Sequence, residues 1–240
     1  MWFDDLSPGK GWSSLWHGLG LCSCGAILLG DECSVCHVKP DYTPIEIVDE
    51  SGQRHSIRPA SMGAEGRYED WLYLDLIQRE WLRPASAAAE GMLRHKQISE
   101  RAPVVLLFWT YFESRIERLV RLGLAQMSDP LREDVLGRYS SVGARMDRLY
   151  KLAFGTTYFE DLRAVNAGAI ASFLAEVQKR RNEFSHGQPA AISDDLAGRV
   201  VAALRDEHLA WIAVFNKRIA ALRSITASKA EGGHGPKEVG

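Results

Sequence analysis

The chain has 240 residues, 46% hydrophobic and 25% charged, which is enough for one substantial core with a small accessory unit and too apolar for a disordered chain. Its 29 Lys and Arg nearly cancel 31 Asp and Glu, so no overall basic field draws it onto nucleic acid or an anionic membrane, and any RNA contact has to be local. No apolar run reaches the roughly 18 to 20 residues of a bilayer span, and Met1-Trp2-Phe3-Asp4-Asp5 lacks the basic start and apolar stretch of a signal peptide, so a cytoplasmic protein is expected.

All four cysteines, Cys22, Cys24, Cys33 and Cys36, fall in one short stretch as C-x-C, eight residues, then C-x-x-C. In a reducing compartment such clustered thiols are better explained as thiolate ligands than as two disulfides. Two pairs of thiolates close a tetrahedron around zinc, Gly25 and Gly30 allow the tight turns that aim sulfur inward, and His37 is an alternative to one thiolate. One structural zinc per chain is therefore expected. Ile45–Val48 and His55–Ile57 read as a hairpin turning at Ser51-Gly52, which completes a small β-rich, zinc-ribbon-like module over residues 1–62. Residues 1–60 carry four basic side chains against eight acidic ones, a net −4 that repels phosphate, and four thiolates leave zinc no open position for catalysis. The module reads as a staple.

From about Gly66 a 3.6-residue periodicity takes over, and the fold class is mainly α, with a helical domain over 66–225 and a Gly-rich, disordered tail over 226–240. The first helix carries Trp71, Leu74, Ile77 and Trp81 and stops at Pro84, and a weaker segment spans Leu93 to His95. A long apolar helix opens near Pro103 and ends toward Ser128-Asp129-Pro130, with Val105, Trp109, Phe112, Ile116 and Leu119 on its packed face and Glu113 among them. Further helices are expected at 142–153, at 160–186, and from about Ser193, whose Asp194 and Asp195 suit the positive helix end, to Leu222.

Chemistry concentrates at the end of the 160–186 segment. Ile170, Leu174, Val177 and Phe184 form a stripe, and Arg181 falls on it. A desolvated guanidinium needs a partner or a task, and Glu113 is the expected partner, in a pair that is either structural or catalytic. Asn182 and His186 stand one turn apart on the same side, so the amide can orient the imidazole. Gly187 is placed to end the helix and Pro189 forbids its continuation, so the negative helix end favours imidazolium, whether His186 serves as a cap or as a proton-transfer group. Lys179 and Arg180 complete a compact basic step.

Arg181-Asn182-Glu183-Phe184-Ser185-His186 resembles the R-x4-6-H signature of the HEPN superfamily, in which a polar residue, often Asn, follows the Arg within an all-helical domain. The resemblance covers about residues 68–225, and Phe112-Glu113-Ser114 is similar to the aromatic-acidic stretch of HEPN helices. It implies a HEPN-like antiparallel helical bundle and an endoribonuclease that needs no metal for catalysis. In that chemistry Arg181 neutralises the phosphorane, and His186 is the base toward the 2′-hydroxyl or the acid toward the leaving 5′-oxygen. Asn182 orients the ring, Glu113 belongs to the catalytic set, and Ser185, Arg180 and Lys179 contact the RNA. One imidazole does not serve both ends of the reaction, so the resemblance also implies a homodimer whose two motifs share a cleft. An antitoxin or activator protein is an implied partner, and a toxin or defence role an implied context. The alternative is a HEPN-like module that binds a nucleotide or a protein without turnover.

Overall fold

A computed structural model describes residues 20–22, 24–28, 32–39, 45–48, 51–57, 68–84, 98–139 and 141–231. The expected segment at Leu93–His95, the turn at Gly30 and the tail from 232 onward lie outside the described residues. The protein is mainly helical, and its contacts divide the described chain into two units: 68–211, and 20–57 together with 212–231. Among these residues no helix is long and apolar enough to cross a membrane.

In the first unit α1 (Tyr68–Leu82) ends just before Pro84 and packs on α2 (Ala102–Gly123), which carries Pro103 in its first turn, where the missing N–H costs nothing. The expected face of α2 is sealed: Val105, Trp109, Phe112, Ile116 and Leu119 are all buried. Trp109 and Phe112 lie 5.1 Å apart between ring centroids, and Phe112 and Tyr158 lie 5.8 Å apart. Ser128-Asp129-Pro130, expected to end α2, instead opens α3 (Asp129–Arg138), with Ser128 at the N-cap position and Pro130 in the first turn; α2 has already stopped at Gly123. The next helical stretch is α4 (Val142–Ala144), a π-helical turn over Arg145–Leu149 and α5 (Tyr150–Phe154).

The single helix expected over 160–186 is two. The first, α6 (Tyr158–Ala164), starts with a capping box between Thr157 and Glu160. It ends at Asn166, whose φ of +61° is left-handed; the amide N–H groups of Asn166 and Ala167 close back onto Arg163 and Leu162 at 3.1 and 2.8 Å. The second, α7 (Gly168–Ser185), follows at once. Finally α8 (Asp194–Glu231) begins where expected, with Ser193 Oγ accepting the Leu196 N–H at 3.1 Å. It runs on to Glu231 rather than stopping at 222, because Ala, Ser, Lys and Glu still tolerate helix and the glycines begin only at 232.

One charge in this core was not expected. Arg115 of α2 is fully buried, pairs with Glu207 of α8, and lies 4.0 Å from the Tyr111 ring centroid and 5.4 Å from that of Trp211. Its Nη1 donates to His208 Nδ1 at 3.2 Å. A guanidinium only donates, so that ring nitrogen keeps its lone pair and the imidazole is neutral. Burial, aided by the charges of Arg115 and Arg118, holds His208 well below its ordinary range. On unfolding the ring returns to a pKa of about 6.5 and takes up a proton in acid, so stability falls as pH drops below that value, by up to about 1.4 kcal/mol per pH unit. Urea unfolding at pH 7.5 and 5.5 checks this: the wild type is expected to lose more stability on acidification than His208→Gln, and equal losses would contradict it.

In the second unit β1 (Gly20–Leu21) pairs antiparallel with β2 (Ile27–Leu28), and β3 (Ile45–Val48) pairs antiparallel with β4 (Arg54–Ile57), with Ile45 opposite Ile57 and Val48 opposite Arg54. Gly52, at a φ of +83°, makes the turn that Ser51-Gly52 predicts. The unit also takes in 212–231 of α8, of which the sequence reading assigns 212–225 to the helical domain and 226–231 to the tail. Asn216 of that stretch is buried and holds both backbone groups of Ile27: its Oδ1 accepts the Ile27 N–H at 2.8 Å and its Nδ2 donates to the Ile27 carbonyl at 2.8 Å.

Candidate functional site

The end of α7 sets the positions of Arg181, Asn182 and His186. Leu174 and Val177 are buried and anchor the helix, while Arg181 is half-buried and Asn182 and His186 are exposed. The chain leaves the helix through a Schellman turn: Gly187 takes a φ of +88°, its N–H bonds the Phe184 carbonyl at 3.1 Å, and the Gln188 N–H bonds the Glu183 carbonyl at 3.0 Å. His186 is the cap residue, one past the last helical position, and Pro189 begins a short 3-10 turn, Pro189–Ala191.

Asn182, His186, Lys179 and Gln178 line an open groove of about 420 Å³. Arg181 does not line this groove, but its Nη1 donates to Oδ1 of Asn182, which does, at 3.3 Å. The amide of Asn182 thus links the guanidinium to the groove that carries the imidazole. Ser185 Oγ donates to the Arg181 carbonyl at 2.9 Å, which leaves its lone pairs available to accept. Lys179 and Arg180 converge on one carboxylate, Glu183, at 3.9 and 3.1 Å, so the basic step is partly neutralised within its own helix.

Glu113 and Arg181 do not meet in a direct ion pair, contrary to the sequence expectation. The Trp109 indole N–H takes the Glu113 carboxylate at 3.0 Å, and Arg181 turns to Asn182 instead. The two charges still feel one another: burial pushes the Glu113 carboxyl up, and Arg181 pulls it part of the way back. Glu113 is therefore a half-buried carboxylate that accepts one hydrogen bond beside the candidate arginine.

The four cysteines form a separate cluster in the second unit. Their sulfur atoms all lie within 4.8 Å of one another, with Cys22 to Cys36 at 3.4 Å and Cys24 to Cys33 at 3.6 Å. A zinc ion bound at about 2.3 Å by four thiolates sets sulfurs on a tetrahedron of edge roughly 3.8 Å, so the cluster has the size and donor set that zinc requires. Gly25, with a φ of +88°, makes the turn between the strands. His37 lies outside the cluster; its Nδ1 sits 3.3 Å from the exposed Glu32 carboxylate. The Cys24 amide draws the Cys22 thiol down to about 6. At Cys36 the Val38 amide also favours thiolate, but the surrounding sulfurs and burial outweigh it and push that group up to about 12. Four thiolates at this separation would repel one another, so a cation among them would be what lets all four ionise.

No family model, curated protein or solved structure matches the chain. The sequence reading did not pick out the Arg115, Glu207 and His208 cluster, the Asn216 clamp, or a second groove of about 350 Å³ beside the first, lined by Asp147, Phe159, Arg163 and Gln178 among others. The acidic and histidyl pair Glu207-His208, set between Leu204 and Trp211, was the legible signal for the first of these.

Proposed function

We propose that the protein is a cytoplasmic endoribonuclease of HEPN type that cleaves RNA through attack of its own 2′-hydroxyl, with no metal in the reaction, and that zinc on Cys22, Cys24, Cys33 and Cys36 serves structure alone. The observation that carries this reading is the open groove holding His186 and Asn182, with the Arg181 guanidinium hydrogen-bonded to Asn182. Arg181 supplies fixed positive charge to the phosphorane, and His186 exchanges the proton with the 2′-hydroxyl or the 5′-oxygen. The single histidine in this groove needs a counterpart at the other end of the bond, and a second copy facing it across a two-fold axis supplies one. Glu113 holds Arg181 by charge without quenching it in a direct pair.

A second reading, a HEPN-like module that binds a nucleotide or protein without turnover, is favoured by one observation: Glu183 answers both Lys179 and Arg180, which weakens the field on a phosphate. Incubation with tRNA and mRNA in EDTA separates the two. Cleavage that leaves 2′,3′-cyclic phosphate and 5′-hydroxyl ends, and that disappears in both His186→Ala and Arg181→Ala, is the expected result. No cleavage of either RNA, or equal cleavage by His186→Ala, overturns the nuclease reading.

A further inference from the structure

The groove next to the His186 groove has a lining that the proposed reaction does not use. It lies between the π-helical turn Arg145–Leu149 and α6, and Gln178 of α7 lines both grooves. Gly143 stands at its wall, where a Cβ would come within 3.0 Å of Gln178 Nε2, so glycine leaves the amide room there. The wide turn of the π segment carries Asp147 to this surface.

Charges on this unit's surface are largely paired: Arg79 with Asp75, Arg132 with Asp129, Arg138 with Asp134, and Arg199 with Glu176. Asp147 and Arg163 are exposed, line the same groove, and make no ion pair or side-chain hydrogen bond among the described residues. Phe159, half-buried, lines the same groove. Glu160 lines the groove as well, but its Oε2 already accepts from the Thr156 hydroxyl and the Thr157 N–H, both at 2.7 Å. The groove therefore offers a flat ring, one unpartnered acceptor and one unpartnered cation.

We propose that this groove is a guanosine subsite for single-stranded RNA, adjoining the scissile phosphate, in which Phe159 stacks the base, Asp147 accepts from its Watson–Crick edge and Arg163 holds a phosphate. The inference rests on the nuclease reading for its link to the His186 groove. Guanine is the base selected because its N1–H and N2–H2 point the same way and match the two oxygens of a carboxylate, whereas adenine, cytosine and uracil each present a single donor beside an acceptor that Asp147 repels. The net charge of the lining, with two acids and one arginine, excludes a site that reads only phosphates.

The test uses the full-length protein and a fluorescein-labelled single-stranded oligoribonucleotide made uncleavable by 2′-O-methyl groups, carrying one guanosine or an adenosine in its place, with anisotropy as the readout. The guanosine oligonucleotide is expected to bind about tenfold more tightly, and Phe159→Leu, which keeps apolar bulk but not the flat face, to weaken it by about tenfold. Asp147→Asn is expected to abolish the preference between the two bases, and Arg163→Gln to weaken both alike. Equal binding of both oligonucleotides by the wild type, or wild-type binding by Phe159→Leu and Asp147→Asn, overturns the subsite, even if RNA is still cleaved. Guanosine-selective binding that depends on these residues in a protein that cleaves no RNA leaves the subsite standing and removes the nuclease. Free guanosine monophosphate binding as tightly as the oligonucleotide overturns the link to the cleavage groove.

Discussion

Replacing Glu207 by Gln, or Arg115 by Met, is expected to lower the unfolding free energy by about 3–5 kcal/mol, and the double replacement Arg115→Met with Glu207→Leu by much less than either. The reasoning begins with burial: both side chains are shut away from water, so each charge depends on the other for compensation. Burial works against the charge on Arg115, and Glu207 outweighs it, so the guanidinium is held more firmly than an ordinary arginine; burial also pushes the Glu207 carboxyl up against the pull of Arg115. Removing one partner strands the other. Removing both also removes their desolvation, and here the pair is incompletely satisfied: among the described residues Arg115 Nε and Glu207 Oε1 have no hydrogen-bond partner. The rings of Tyr111 and Trp211 that flank the guanidinium would pack against a methionine equally well. Urea denaturation of the two single variants and the double gives the coupling directly. A double variant as unstable as either single would show that the pair stabilises the fold outright, and one as unstable as their sum that the two charges act independently.

Proline and glycine made the ends of the helices legible, where they were legible. Pro84 and Pro103 bracket α1 and α2, and Gly187 with Pro189 closes α7, because each of these residues has one backbone state that ends or starts a helix. The same punctuation misled at Ser128-Asp129-Pro130, since proline is as suited to a helix's first turn as to the residue after its end. Asn166 was a signal the periodicity masked: asparagine is a weak helix former that readily takes a left-handed φ, and here that φ splits 160–186 into α6 and α7. On α2 the difficulty was a helix buried on most of its circumference. The apolar stripe through Trp109 and Ile116 drew the reading to Glu113, whereas Tyr111 and Arg115, one turn apart, are buried beside that stripe, and Arg115 carries the charge. The cysteine cluster was legible from spacing alone, but its support was not. Asn216 lies 180 residues and more along the chain from that cluster, in a helix whose local pattern marks it as an ordinary polar position.

That support leads to the largest effect expected in this protein. Withdrawing zinc with a strong chelator is expected to release the fold of 20–57, with apparent binding energies on the order of 10 kcal/mol at stake, while the helices of the first unit keep their ellipticity. Loaded protein is expected to hold close to one zinc per chain. Hydrogen exchange at the Ile27 amide reports the change at a single position, because that N–H is bonded to Asn216 Oδ1. Asn216→Leu tests the clamp apart from the metal. It leaves the Ile27 N–H and carbonyl buried without partners, at about 1–3 kcal/mol each, so zinc affinity is expected to fall by roughly ten- to a hundredfold or more although no cysteine has changed. Asn216→Asp keeps the acceptor, loses the donor and belongs between the two. Zinc competition with a chromophoric chelator measures all three. Protein prepared under reducing conditions that contains no zinc, or an Ile27 amide still protected after the metal is gone, would mean that the four thiols are simply a packed apolar cluster and that the clamp holds the segment by itself.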